Sequence, residues 1–199
     1  MRTGNPLYVH LAHLLHYPEE DYRRHLERLS SALTGQQEME EMLEPFRTFV
    51  ANSEFTALEE LFTRTFDMNP QTCLEVGWHL YGEDYKRGEL LVNMRQALAQ
   101  YHLPESEELP DHMSHCLQLL AHMEPEEAPI FVDEYLLPAL EKILESLKPE
   151  NPFTDLLEVL KTLFMDLVGP GSGYVRRELQ CEVPQGQQDL SNLVPLKLG

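Results

Sequence analysis

The sequence holds nine histidines, and imidazole both ligates transition metals and exchanges protons near neutral pH. His10, His13 and His16 recur at steps of three, so successive pairs lie near one face of a helix. His112, His115 and Cys116 sit at i, i+3 and i+4, with His122 farther along. A small all-α metal-binding enzyme or sensor using either group is one reading of these positions. Their spacing argues against it. Structural zinc sites pair their ligands on each side of a turn, and no C-x-x-C is present. A di-iron bundle needs Glu three residues before His, which no histidine here has, and H-E-x-x-H is absent. Nucleophilic catalysis finds no better start. Cys116 lies beside His115, but adjacent helical residues point in different directions; Cys73 sits in an apolar segment and reads as core. The glycine cluster from Gly169 to Gly173 lacks the preceding strand and the Gly-Lys-Ser/Thr ending of a phosphate loop. No catalytic residue, metal ligand or cofactor is expected.

Charge is more informative. The 199 residues carry 34 acids against 15 bases, a net charge of −19, which disfavours nucleic acid as a partner. Between Arg95 and Lys142 there is no Lys or Arg. That interval holds Glu105, Glu107, Glu108, Asp111, Glu124, Glu126, Glu127, Asp133, Glu134 and Glu141. A long interval of one sign points to an acidic field facing a basic partner, or else serves solubility alone. The three cysteines form no disulfide framework and fit a reducing compartment. No apolar run is long enough to span a bilayer, and the N-terminus lacks the pattern of a signal peptide. These features predict a soluble, cytoplasmic protein with no direct membrane insertion.

The elements that carry these residues are helical throughout. Apolar residues repeat at steps of three and four, most clearly in Phe153, Leu156, Leu157, Leu160, Leu163, Phe164 and Leu167. Alternating β-branched runs are absent. Asn5-Pro6, Asn69-Pro70 and Asn151-Pro152 each precede a periodic segment, pairing an N-cap with proline at the first helical position. Gly35 and Gly169 follow such segments as stops. The spacing predicts an all-α, single-domain bundle of about nine helices over 6–16, 19–33, 37–51, 54–66, 70–81, 84–102, 111–123, 128–147 and 152–168, with Pro138 kinking or splitting the eighth. Residues 1–168 form the domain. Residues 169–199, with scattered aliphatics among Gly, Pro and Gln, read as a mobile or loosely docked tail.

Two turns break the helical pattern. In Tyr81-Gly82-Glu83-Asp84-Tyr85-Lys86-Arg87-Gly88, Gly82 ends one helix and Asp84 caps the next, while Gly88 falls inside a helix. Glu108-Leu109-Pro110-Asp111-His112 is an acidic loop entering a helix. Simple turn and capping chemistry accounts for both.

With Glu60-Leu61-Phe62-Thr63-Arg64-Thr65-Phe66-Asp67 ahead of them, these two turns occur in the order and spacing of the NarJ-type chaperones, which the chain resembles over roughly residues 5–168. These are the nitrate reductase delta-subunit assembly proteins of the TorD/DmsD/NarJ superfamily. The resemblance implies an all-helical cytoplasmic chaperone without catalysis. It would bind the basic N-terminal leader, or its remnant, of the apo catalytic subunit of a DMSO-reductase-class molybdoenzyme until the molybdenum cofactor is inserted. A monomer or a domain-swapped dimer is implied. His115-Cys116 and the tail after Gly173 lie outside the matching pattern.

The signature turn falls inside the interval free of Lys and Arg. On this reading Glu108 and Asp111 accept charge-assisted hydrogen bonds from a leader arginine or backbone N–H, and His112 orients them or tunes their charge. Pro110 fixes the loop, and Gly82 and Gly88 let the neighbouring turn approach it. Trp78 and Tyr81 take the peptide's apolar side, and Glu83, Asp84 and Arg87 complete the candidate peptide-binding set.

Overall fold

The computed structural model describes residues 4–104 and 106–169. The expectation for the tail therefore lies outside the described residues, apart from Gly169. Among the described residues there are ten α-helices: α1 Pro6–Leu14, α2 Tyr22–Ala32, α3 Gln37–Asn52, α4 Phe55–Phe62, α5 Val76–Tyr81, α6 Tyr85–Gln100, α7 Met113–His122, α8 Ala128–Phe131, α9 Leu137–Ser146 and α10 Phe153–Val168. Single π-helical turns extend α4 over Thr63–Asp67 and join α8 to α9 over Val132–Leu136. Among the described residues no strand forms; the one extended pairing is an isolated antiparallel bridge between Glu75 and His112.

Capping follows the expected chemistry at three of the marked positions. Asn5 Oδ1 accepts from Leu7 N–H at 3.1 Å ahead of Pro6, and Asn151 Oδ1 accepts from Phe153 N–H at 3.0 Å. Asp84 Oδ1 accepts from Lys86 N–H at 2.9 Å and starts α6. The third Asn-Pro differs. Asn69 Oδ1 accepts from Gln71 N–H, but the chain then turns through residues 70–75, and α5 begins only at Val76. Pairing of this stretch with residues 111–113 displaces the helix expected from residue 70. Pro138 has the expected effect on the eighth segment. It lacks the N–H that would bond the carbonyl four residues earlier, and the π-turn just before it lets Leu137 N–H bond Val132 O.

Helix α1 packs between α2 and α7, α10 lies against α3, α8 and α9, and α5 packs on α6 and α9. The core joins aliphatic stripes with one aromatic knot. Phe153 is fully buried at the head of α10, with its ring 5.4, 5.8 and 4.9 Å from those of Phe46, Phe62 and Phe66. Asn151 Nδ2 donates to Thr65 Oγ1 at 2.9 Å, and Thr72 Oγ1 donates to the Thr65 carbonyl, so the π-turn is tied to the start of α10. Phe153→Ala would leave a cavity that four elements cannot close. We expect a loss of about 3–5 kcal/mol, read as a lower denaturant midpoint with an unchanged slope.

Candidate functional site

Asp111 organises the corner where the two sequence motifs meet. It is fully buried, and its backbone and side chain both bond the first turn of α5. The Asp111 carbonyl accepts from Val76 N–H at 2.9 Å, its Oδ2 accepts from Gly77 N–H at 3.0 Å, and Met113 N–H donates to the Leu74 carbonyl at 2.7 Å. Residues 74–77 are thereby strapped alongside 111–113, and α7 starts at Met113 rather than at 111. Arg87, from α6, brings its Nε to 3.5 Å from Asp111 Oδ2 and lays its guanidinium carbon 5.6 Å from the centre of the Trp78 ring. The arginine of the first motif is thus the counter-ion of the aspartate of the second. Burial still raises the Asp111 carboxyl above the ordinary range, against the lowering effects of Arg87 and the Gly77 N–H. Asp111 Oδ1 and Arg87 Nε make no hydrogen bond.

This geometry corrects several expectations. Asp111 is fully buried, with Arg87 and the Gly77 N–H beside it, so it presents no carboxylate at the surface to an incoming peptide. Pro110 and His112 are buried beside it. His112 is the N-cap of α7: its Nδ1 lies 3.3 Å from Ser114 N–H and 2.7 Å from Ser114 Oγ. Burial, with His115 and His16 nearby, pushes its pKa down to about 3, so it is neutral near pH 7 and tunes no charge there. Gly82 and Gly88 admit no close approach either. A Cβ at either would meet nothing within 4 Å, and Gly82 is needed for its positive φ of 58°. The glycine required by contact is Gly77, where a Cβ would lie 2.7 Å from Asp111 Oδ2. Its position one residue before Trp78, inside an apolar run, gave no sequence signal of that contact.

Other candidates remain accessible. Trp78 is half-buried, with Nε1 donating to the Pro70 carbonyl at 2.9 Å, while Glu83, Asp84 and Gly88 are exposed. Tyr81 is partly buried, and burial with the charge of Glu134 raises its phenol. Glu108 is half-buried, and its carboxyl is raised by burial and by the charges of Glu75 and Asp67. Asp67 is raised by burial and by Glu75. These three acids come from the π-turn after α4, the strap before α5 and the signature loop, and they make no ion pair among the described residues. The neighbouring Met68 and Leu109 are exposed. Sequence reasoning missed Asp67 and Glu75, since both lie far along the chain from Glu108.

The histidines are engaged as packing and hydrogen-bonding groups. His115 Nδ1 donates to the Leu109 carbonyl at 2.9 Å, and its Nε2 meets Ser106 Oγ at 3.0 Å, which pins the signature loop. His13 stacks on His25 with ring centres 3.8 Å apart, and His10 Nδ1 lies 3.2 Å from His25 Nδ1. Cys116 Sγ donates to the Asp111 carbonyl. Among the described residues no three His, Cys, Asp or Glu converge to hold a metal. Burial pushes the Cys73 thiol up to about 12 and raises Cys116 further above its usual range, which keeps both thiols protonated.

Residues 34–149 match the nitrate reductase delta subunit family. A protein of Bacillus subtilis (strain 168), described as the nitrate reductase molybdenum cofactor assembly chaperone NarJ, is 31% identical over 154 residues, spanning 75% of this chain and 83% of its own. A crystal structure from Archaeoglobus fulgidus, described as a redox enzyme maturation protein, superposes with a TM-score of 0.57 at 19% identity. It covers 82% of this chain and 95% of that one, and shows a shared fold.

Two glycine substitutions separate the close approach from ordinary helix propensity. Gly77→Ala forces a methyl group against the buried carboxylate and is expected to destabilise by about 1–3 kcal/mol. Gly88→Ala, exposed on α6, should stabilise by about 0.4–1 kcal/mol. Equal effects in denaturant melts would remove the Gly77 contact as the cause. His112 supplies a pH signature. Its folded pKa is depressed, so its contribution is complete above the unfolded value near 6.5 and declines as pH falls toward 3. His112→Asn retains an N-cap. The wild-type advantage should shrink below pH 6.5 by up to about 1.4 kcal/mol per pH unit, whereas parallel curves would refute a buried neutral His112.

Proposed function

This chain belongs to the nitrate reductase delta subunit family, and from that premise we propose that it is an assembly chaperone for a nitrate reductase-like molybdoenzyme. It binds the basic N-terminal leader or remnant of the apo catalytic subunit, in the cytoplasm, and assists insertion of the molybdenum cofactor and assembly of the complex. The observation that carries this reading is the similarity, over three-quarters of the chain, to a relative named for that task. It acts by binding rather than by catalysis. In support, both described cysteines are held as thiols, and His112 stays neutral across the physiological range.

Within this reading the candidate set divides into a surface and a frame. Glu108, together with Asp67 and Glu75, supplies unneutralised charge for the basic segment of the peptide. Trp78 and Tyr81, with the exposed Met68 and Leu109, offer apolar area. Gly82, Glu83 and Asp84 form the turn beside them, and Gly88 is exposed on the first turn of α6. Arg87, Pro110, Asp111 and His112 hold these elements in register from beneath. Charge-assisted hydrogen bonds of roughly 1.5–3 kcal/mol each, with a few apolar anchors, suffice for micromolar affinity.

Calorimetric titration of the full-length chain with the leader peptide of its co-expressed catalytic subunit should show saturable binding that weakens as salt rises. Glu108→Gln with Asp67→Asn should reduce affinity about tenfold or more, against little change for Glu38→Gln with Glu40→Gln on α3. Absence of binding by the folded chain would defeat the proposal, and equal effects of the two pairs would reduce the patch to bulk charge.

A further inference from the structure

Next to the Glu108 patch, and outside both turn motifs, the surface opens into a cavity of about 200 Å³. Its walls include His13 from the end of α1, His16, Tyr17, Glu19 and Asp21 from the connection to α2, and His115 from α7. His16 and His115 are also the histidines whose charge acts on Glu108, so patch and cavity adjoin.

The wall suits a cation. Two carboxylates stand at the rim, and no lysine or arginine lines it among the described residues. Helix α1 ends against it, which places the negative end of the helix dipole on this side. Asp21 Oδ2 is already held by Arg24 at 2.8 Å and by His25 at 3.2 Å, whereas Glu19 makes no ion pair among the described residues. Glu19 is therefore the charge left for a guest. A bare metal ion is a poor guest, because no three donors converge. The aromatic content narrows the choice further. A planar guanidinium stacks on imidazole and phenol rings and gives up its hydration more readily than an ammonium. Size agrees, since a cavity of roughly 150 Å³ holds a benzene ring, and this one has room for a guanidinium and its methylene stem.

We propose that this cavity is an arginine subsite: it seats the guanidinium of one arginine from the basic peptide that crosses Glu108, with Glu19 as counter-ion and Tyr17 and His16 as the stacking surface. The inference rests on the peptide-binding reading above and adds to it a specific side chain and a specific seat.

The test uses the full-length chain labelled for NMR at histidine and tyrosine, titrated with N-acetyl-arginine methylamide and then with the lysine analogue. The expected result is a saturable shift of the His16 and Tyr17 ring signals by the arginine compound. Binding should be at least about threefold weaker for the lysine compound and in Glu19→Gln, and unchanged in Glu38→Gln. Ring shifts that are equal for both compounds, or equal in wild type and Glu19→Gln, overturn the proposal. A second arm replaces each arginine of the leader peptide by citrulline, which keeps the shape and removes the charge. A loss of about tenfold at one arginine, largely absent in the Glu19→Gln background, supports the subsite. Small uniform losses at every arginine overturn the subsite and leave the chaperone reading intact. An arginine compound that binds where no leader does has the reverse meaning.

Discussion

A carboxylate enclosed by protein needs partners, and the placement of Asp111 disciplines this corner of the molecule. Gly77 N–H and Arg87 provide the partners, while the Asp111 backbone bonds Val76. To meet these demands Glu75 must pair in extended form with His112, α5 must begin late, and position 77 must lack a side chain. Arg87 in turn fixes Trp78 through the ring it covers. Losing either member of the pair would strand a buried charge, which costs more than the pair contributes. The two motifs, separated by some twenty residues of α6 and its following loop, are halves of one clasp.

The acidic excess therefore needs to be read in space. A net charge of −19 raises a long-range field whatever the fold, and such a field attracts basic segments from a distance. Contact is decided locally, by which carboxylates keep their charge available. Asp111 is spent inside, and Asp21 is shared with Arg24 and His25. Asp67, Glu75 and Glu108 converge from three elements without a counter-ion among the described residues. Their mutual repulsion is a standing cost that a cationic partner relieves, which couples affinity to complementarity.

The histidines illustrate the same division. His115 holds the signature loop through Leu109, His112 caps α7, and His10, His13 and His25 pack the junction of α1 with α2. Histidine suits these places because a neutral imidazole offers one donor and one acceptor on a compact ring. An abundance of histidine marks helix ends and junctions here, and the spacing of three along α1 runs from the contact with His25 to the cavity beyond the helix end.

Much of the fold was legible from periodicity and punctuation. Apolar steps of three and four located the helices, Asn5, Asp84 and Asn151 located their starts, and Pro138 located the break in the eighth, because these effects act within a turn of the chain. The exception at Asn69-Pro70 is instructive: a local helix signal yielded to pairing with a strap forty residues away. The candidate site was legible only as a list of positions. Its division into Glu108 outside and Asp111 inside, the need for glycine at 77, and the company of Asp67 and Glu75 were decided by the tertiary structure. Burial and charge pairing depend on which segments meet in space, and helical spacing carries no record of a neighbour supplied by another element.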